Sequence, residues 1–306
     1  MDDRGHLATE CRNSRSMTFD RLSIEDAVSL MNAEDAGVAA AVAACHDDIA
    51  RAITRVVAAF RAGGRLLYVG AGTSGRLGVL DSAECPPTFL SDPQMVQGVI
   101  AGGRDAMFRS VEGAEDSFES GRSAMIERQL CGDDVVFGIA TGGTTPFVHG
   151  AIQAGRDAGA STIFFACVPA SQVGDDADVS IRVLTGPEVV TGSTRLKAGT
   201  ATKLVLNMVS TISMVQIGKV YENLMVDVNA GVNAKLTDRG IRIIMSVAGC
   251  GRDDASRLLA SAEGHVKSAL VMHFLAIGLN EASELLERNG GQLGAIIGDQ
   301  RQCTQG

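Results

Sequence analysis

The sequence predicts an α/β fold in three layers, α-β-α, around a five-stranded, mostly parallel sheet. Five short apolar runs alternate with longer stretches of helical periodicity, and continuous apolarity is typical of strands covered on both faces. The stretches between the runs are long enough for the crossover helices that parallel strands require. The runs occupy residues 65–71, 95–103, 134–142, 161–169 and 179–187.

Helices are predicted before and after the sheet. Residues 23–64 show a helical pattern that begins at the N-cap candidate Ser23 and ends at two glycines. A long apolar helix follows Gly192, and three short helical blocks follow Gly249, at 253–264, 265–278 and 279–291. We therefore divide the chain into an N-terminal arm with helices (1–62), a sheet domain (63–228) and a C-terminal helical module (229–306).

Composition and charge exclude several classes of function. The 306-residue chain carries a net charge of −9, whereas non-specific nucleic-acid binding needs a basic face. Its seven cysteines form no CxxC pair and its five histidines are dispersed, which predicts a cytoplasmic protein with reduced thiols and no metal site. The apolar segment 204–218 is too short and too polar to span a bilayer, so we expect a buried helix and no membrane association.

A glycine-rich loop, GAGTSG at 70–75, follows the first predicted strand and opens a helix. Its glycines resemble a degenerate GxGxxG, but Asp92 lies before the second strand rather than at its end, where a dinucleotide site needs its acid. Two hydroxyls at a helix N-terminus instead suit a phosphate monoester. The alternative is a tight turn whose hydroxyls only cap the helix. The predicted phosphate ligands are Gly72, Thr73, Ser74 and Gly75.

A second loop of the same kind, ATGGTTP at 140–146, follows the third predicted strand and also opens a helix. Because the carboxyl ends of parallel strands meet at one edge of a sheet, the two loops can hold one phosphate from both sides. A dinucleotide fold needs only the first loop. The predicted ligands in the second are Thr141, Gly142, Gly143, Thr144 and Thr145.

Acidic side chains near these loops are candidates for proton transfer. Glu84 lies in DSAECPP, where the two prolines are expected to end the helix just after it and hold the carboxylate near the first loop. The alternative is a solvated surface glutamate. A second acidic group, VEGAEDSFE at 111–119, is first of all a solvated helix face, and spacing does not select a catalytic member from it.

A third polar segment, GPEVVTGSTRLKAGTATK at 186–203, leads into the long apolar helix. The guanidinium of its arginine can form bidentate hydrogen bonds with a carboxylate or a phosphate. Ordinary helix capping with surface charge explains the segment equally well. Its candidate substrate-binding residues are Glu188, Ser193 and Arg195.

Several of these blocks together resemble the N-acetylmuramic acid 6-phosphate etherases, a family of the sugar isomerase (SIS) superfamily that is related to the glucokinase regulatory protein. The resemblance runs from TECRN and MTFDRLS near the N-terminus into the C-terminal helices. Its most specific blocks are YVGAGTSGRLGVLDSAECPPTF, VEGAED, VTGSTRLKAGTATKLVLNMVST and KVYENLMVDV.

The resemblance implies an SIS-type sheet domain and a cytoplasmic homodimer that acts in the recycling of cell-wall amino sugars. It implies a lyase that cleaves the D-lactyl ether of N-acetylmuramic acid 6-phosphate with water, giving N-acetylglucosamine 6-phosphate and D-lactate, without metal or organic cofactor. Glu84 matches the family's acid/base residue, and Glu115 matches its second active-site carboxylate.

The second loop departs from the family pattern. The family usually has ASGRTP, so Gly142 stands where a serine is expected and Thr144 where an arginine is expected. A further departure is Cys11, where the family commonly has glutamine. These changes keep an alternative open, a sugar-phosphate-binding regulator of the glucokinase regulatory protein type without turnover. A dehydrogenase is the third interpretation.

Overall fold

The computed structural model describes residues 4–228, 230 and 234–298. Its five-stranded sheet is parallel throughout, in the order β2-β1-β3-β4-β5. All five predicted strands and the α/β class are therefore confirmed. The strands are β1 (Leu66–Gly70), β2 (Val96–Ile100), β3 (Val135–Ile139), β4 (Ser161–Ala166) and β5 (Val179–Arg182).

Helices cover both faces of this sheet, as the continuous apolarity of its strands predicts. Every residue of β1 is buried, and the same holds for β3. Leu67 and Val136 share a core cluster with the apolar face of α6 (Pro146–Asp157). On the opposite face the Tyr68 hydroxyl donates to the Leu206 carbonyl of α7 (Lys197–Gln216), at 3.4 Å. The remaining crossover helices are α4 (Gly72–Phe89) and α5 (Phe118–Ile126).

The helical run at the N-terminal side is divided into three helices rather than one. Ser23 caps the first, because its hydroxyl accepts the Asp26 N–H at 3.1 Å, as predicted. Gly37 and Cys45 occupy the next two N-cap positions. The helices are α1 (Ile24–Asp35), α2 (Val38–Ala43) and α3 (His46–Arg61).

The chain forms two compact units. One holds the sheet and comprises residues 4–83 and 93–210; the other comprises 84–92 and the described part of 211–298. The three predicted C-terminal blocks are confirmed as helices, and two further helices flank them. Of the predicted module, positions 229, 231–233 and 299–306 lie outside the described residues. The helices are α8 (Ala234–Ala248), α9 (Arg252–Ser261), α10 (Val266–Leu275), α11 (Leu279–Arg288) and α12 (Leu293–Ile297).

The second unit has its own apolar core. Ile244, Ala255 and Leu270, from three different helices, are fully buried there. The predicted three-part division of the chain, with boundaries after residues 62 and 228, stays a prediction.

Helix α4 continues through Pro86 and Pro87 to Phe89, so the expectation that these prolines end the helix directly after Glu84 is wrong. Proline has a helical φ, but it removes its own N–H bond and its ring crowds the carbonyl four residues before it, so the two prolines weaken the last turn of α4 without ending it at Glu84. The helix stops at Leu90, whose φ is +49° and whose N–H donates to the Pro86 carbonyl at 2.9 Å. A left-handed residue with such a returning hydrogen bond is a common helix terminus.

No single helix within the described ranges is both long and apolar enough to cross a membrane. Two bent segments reach the required length and composition only when their helices are taken together: α1 to α3, bent by 61° before His46, and α10 with α11, bent by 105°.

Candidate functional site

The strand order places a crevice at the carboxyl end of β1 and β3. The chain leaves β1 toward β2 on one side and leaves β3 toward β4 on the other, so the two loops diverge at this point. Gly70 pairs with Ile139 at the strand ends, and the two glycine-rich loops therefore begin side by side. Ligands of open α/β sheets bind at such a switch point. Both loops lie at one edge, as predicted.

The first loop turns tightly from β1 into α4. Gly72 has a φ of +53° and is the first residue of the helix, and Ser74 is buried in its first turn. A Cβ on Gly75 would lie 2.7 Å from the Gly70 carbonyl oxygen and 2.6 Å from Ile100, so only glycine fits there. The first N–H groups of an α-helix have no intrahelical acceptor. The Gly75 N–H donates to the Ala71 carbonyl at 3.2 Å, so the N–H groups before it and the hydroxyls of the loop are the groups that can bind an anion at this end of α4.

The second loop has a fixed backbone and half-buried hydroxyls. Gly143 has a φ of +81°, and its carbonyl oxygen lies 2.7 Å from the His149 ring Nε2. The Thr141 carbonyl accepts the Cys167 N–H at 2.8 Å. Thr144 and Thr145 are half-buried where the loop enters α6. The loop thus presents hydroxyl groups at a second helix N-terminus.

The predicted residues of the third polar segment differ in burial and in their hydrogen-bond partners. Glu188 is fully buried, and its oxygens accept the N–H groups of Lys197 and Ala198 at 3.0 and 2.9 Å. Burial raises the pKa of this carboxyl, although both hydrogen bonds act against the rise. Ser193 is half-buried and Arg195 is exposed. Glu188 therefore caps α7, and its contact with a substrate stays a prediction.

The start of α7 lies against the first loop. A Cβ on Gly199 would be 3.6 Å from the Thr73 methyl group. Lys197, the first residue of α7, anchors the segment in the protein interior, because its buried Nζ lies 2.7 Å from Glu34 Oε2. Burial raises the pKa of Glu34, but hydrogen bonds from Lys197 and Asn13 outweigh it, and the pKa lies below its ordinary value. This buried pair fixes the start of α7.

A cavity of about 200 Å³ joins the first loop to Glu115. It is lined by Gly72 and Ala101, which follow β1 and β2, and by Glu115, which is exposed in a short 3-10 turn. Arg76 of α4 donates to the carbonyls of Met107 and Arg109 at 3.2 and 3.1 Å and so fixes the intervening loop. The structure therefore brings one of the two predicted carboxylates to the rim of the first loop.

The other predicted carboxylate, Glu84, is exposed and belongs to the second compact unit. Its position near the first loop stays a prediction.

The N-terminal arm contributes two polar residues that no spacing pattern indicated. Thr9 is fully buried next to Gly142, and Glu10 Oε2 lies 2.9 Å from where a Cβ on Gly192 would be. TECRN shows neither helical nor strand periodicity, so only its place in the resemblance could have directed attention to it.

Residues that could hold a metal are not grouped in the parts of the chain that the structure covers, namely 4–228, 230 and 234–298. There, no three His, Cys, Asp or Glu side chains are placed to share an ion. The expectation that no metal or cofactor is needed stays a prediction.

Known proteins resemble the chain over nearly its whole length. N-acetylmuramic acid 6-phosphate etherases of Nostoc punctiforme and Synechococcus elongatus are each 54% identical over 297 residues, which are 97% of this chain and 96% of theirs. An etherase of the same description from Gloeothece citriformis is 52% identical over 97% of both chains.

Two further comparisons concern parts of the chain. Residues 48–156 match the family described as the glucokinase regulatory protein N-terminal SIS domain. The solved phosphoheptose isomerase of Neisseria gonorrhoeae superposes with a TM-score of 0.45 and 16% identity, covering 62% of this chain and 98% of that one.

Proposed function

The chain belongs to the N-acetylmuramic acid 6-phosphate etherase family, and on this premise we propose how it cleaves the D-lactyl ether of that sugar phosphate with water. The products are N-acetylglucosamine 6-phosphate and D-lactate, and the reaction serves the recycling of cell-wall amino sugars in the cytoplasm. The observation that supports the proposal is the cavity of about 200 Å³, because the first residue of α4, Gly72, and a carboxylate, Glu115, both line it.

The two loops at the switch point bind the 6-phosphate. Thr73 and Ser74 offer hydroxyls at the start of α4, and Thr144 and Thr145 offer them at the start of α6. Hydroxyls and free N–H groups at two helix N-termini satisfy several phosphate oxygens without a buried cation. Ser193 and Arg195 complete the set from the segment before α7.

The reaction proceeds by elimination and then hydration of the open-chain sugar. A base removes the C2 proton, which is acidic because C2 is next to the C1 aldehyde. The C3–O bond then breaks, an acid protonates the departing lactate oxygen, and an unsaturated aldehyde remains. Water adds its oxygen to C3, and a proton returns to C2. Two carboxylates with different proton affinities can supply these transfers.

Glu84 protonates the lactate oxygen and later activates the water, while Glu115 assists at C2 or orients the sugar. Glu115 and Glu84 belong to different compact units. We propose a homodimer in which each active site takes Glu115 from one protomer and Glu84 from its partner.

The direct test is incubation of the chain with N-acetylmuramic acid 6-phosphate and an assay for D-lactate. We expect lactate release by the unaltered chain and a loss of about 10²–10⁴-fold in kcat for Glu84→Gln. Glu222→Gln, which alters another exposed glutamate of the second unit, is the control and should retain full activity. Near-normal release by Glu84→Gln would disprove its assignment.

The shared site has its own test. Glu84→Gln and Glu115→Gln are each inactive as homodimers, but after unfolding and refolding together the heterodimers have one intact site. An equal mixture should recover about one quarter of the wild-type rate. No recovery, with heterodimers shown to form, would mean that both carboxylates act within one protomer.

A non-catalytic regulator is not favoured. Full-length relatives carry the etherase description, whereas the match to the glucokinase regulatory protein model covers only residues 48–156.

A further inference from the structure

We propose that Thr9, in the N-terminal arm, donates a hydrogen bond to the substrate phosphate and replaces the serine that the second loop lacks at Gly142. The inference rests on the proposed function, since it names a further ligand of the same phosphate. It assigns a binding role to a residue more than 130 positions away from the loop in sequence.

The arm is fixed at the carboxyl edge of the sheet. Leu7 is 1% exposed and packs in the core cluster that includes Val69, one residue before the end of β1, and Ala140, one residue after the end of β3. Gln172 holds the backbone on both sides of Leu7. Its Oε1 accepts the Ala8 N–H at 3.0 Å, and its Nε2 donates to the His6 carbonyl at 2.9 Å. The position of Thr9 is therefore determined by packing and hydrogen bonds, before any ligand binds.

The hydroxyl of Thr9 is fully buried and has no hydrogen-bond partner among the residues that the structure describes. Native proteins leave few buried polar groups without a partner, because each unpaired group is destabilising. A phosphate oxygen held by the second loop would accept this hydrogen bond. The Thr9 hydroxyl is thus available to donate a hydrogen bond to a ligand.

The Thr9 hydroxyl lies beside Gly142. A Cβ on Gly142 would lie 3.7 Å from Thr9 Oγ1, and no other atom counted as a neighbour lies within 4 Å of it. The side chain that the family's serine would have projects into this same space. Thr9 therefore places its hydroxyl beside the position from which the serine hydroxyl would act.

The neighbouring residue extends the arm to the third polar segment, since Glu10 Oε2 lies close to Gly192. The arm thus connects the second loop with the segment that packs on Thr73. Phosphate bound between the loops is covered by Thr9 from the side where the loop itself has only glycine.

The test compares Thr9→Val with Thr9→Ser. Valine has the shape of threonine but no hydroxyl, so the apo protein should keep its Tm, because no hydrogen bond is lost. We expect KM for N-acetylmuramic acid 6-phosphate to rise roughly tenfold with kcat nearly unchanged. Thr9→Ser keeps the hydroxyl and should stay within about twofold of the wild type.

The decisive variant adds Gly142→Ser to Thr9→Val. A serine there has ordinary contact distances and no left-handed φ to oppose it. If the two hydroxyls are equivalent, the double variant should regain most of the lost affinity. An unchanged KM in Thr9→Val, a Thr9→Ser variant as weak as Thr9→Val, or no gain from Gly142→Ser would each overturn the inference.

Calorimetric titration with N-acetylglucosamine 6-phosphate separates this inference from the proposed function. If the wild type binds that sugar phosphate without releasing lactate from the etherase substrate, the proposed function fails. The binding role of Thr9 is then still supported if Thr9→Val binds N-acetylglucosamine 6-phosphate more weakly than the wild type does. It is overturned if the two bind equally well.

Discussion

Polar groups near the two ends of strands β1 and β3 differ in how fully they are hydrogen-bonded within the protein. At the amino end, Asp134 is 1% exposed and accepts hydrogen bonds from the Arg65 N–H, the Arg65 guanidinium and the Cys131 N–H, at 2.6–3.1 Å. At the carboxyl end, the Thr9 hydroxyl has no partner in the described structure, and Glu115 is exposed beside a cavity.

This difference separates groups that stabilise the fold from groups that are available to a ligand. Burial raises the pKa of Asp134, but hydrogen bonds from Arg65 and from backbone N–H groups outweigh it, so the pKa lies below its ordinary value. The ionised carboxylate is thus part of the folded structure. Near the other end of these strands, the Thr9 hydroxyl of the N-terminal arm has no hydrogen-bond partner among the described residues.

Glu115→Gln should give the largest effect, and it should fall on activity alone. Replacing a carboxylate that takes part in proton transfer lowers kcat by about 10²–10⁴-fold. The Tm should not change, because Glu115 is exposed and the amide has the same shape. Lactate release and thermal unfolding measure the two properties. Glu119→Gln, in the same acidic cluster but away from the cavity lining, is the matched control. If it lost as much kcat as Glu115→Gln, the position of Glu115 at the cavity would not explain its effect.

Asp134→Ala should show the opposite pattern. It leaves two backbone N–H groups without their acceptor and the Arg65 guanidinium with only the Arg128 and Gln129 carbonyls, at a cost of about 2–4 kcal/mol in the free energy of unfolding. Urea unfolding measures this cost. The folded variant should keep its kcat at low temperature, since the residue lies at the far end of the strands. Asp133→Ala changes the exposed neighbour and should be nearly neutral. A large loss of kcat in folded Asp134→Ala would contradict the separation of the two ends.

The sequence predicted the sheet and the position of both loops, because apolar runs and glycine-rich turns are local signals. It placed Glu84 near the first loop, since two prolines suggested a helix end. The structure shows that α4 continues for another turn. A break at proline depends on whether neighbouring groups compensate for the lost hydrogen bond, and local spacing does not contain that information.

Long-range pairs were not predictable from the sequence. Glu34 and Lys197 are 163 residues apart and meet as a buried ion pair. Thr9 reaches Gly142 only because Leu7 is buried at the sheet edge. Glu188 was a candidate ligand because it stands in a polar turn, yet its carboxylate caps α7. Each side chain has the chemistry expected of it, and its partner is decided by tertiary packing.

The smallest expected effect concerns pH. Since the folded pKa of Asp134 lies below its ordinary value of about 3.9, its ionised form stabilises the fold at neutral pH. That contribution is present above the unfolded pKa and is lost as the pH falls through the folded pKa. Asp134→Asn, which does not titrate, should therefore lose less stability on acidification than the wild type, by on the order of 1 kcal/mol.

Urea unfolding of both chains between pH 7 and pH 3 measures the difference. Thr9→Val is the control from the other end of the strands, because it removes no ionisable group and its pH dependence should parallel that of the wild type. If Asp134→Asn followed the wild-type curve, the carboxylate would not be stabilising the fold through its charge. The hydrogen bonds of Asp134 would then stabilise the fold equally well without its negative charge.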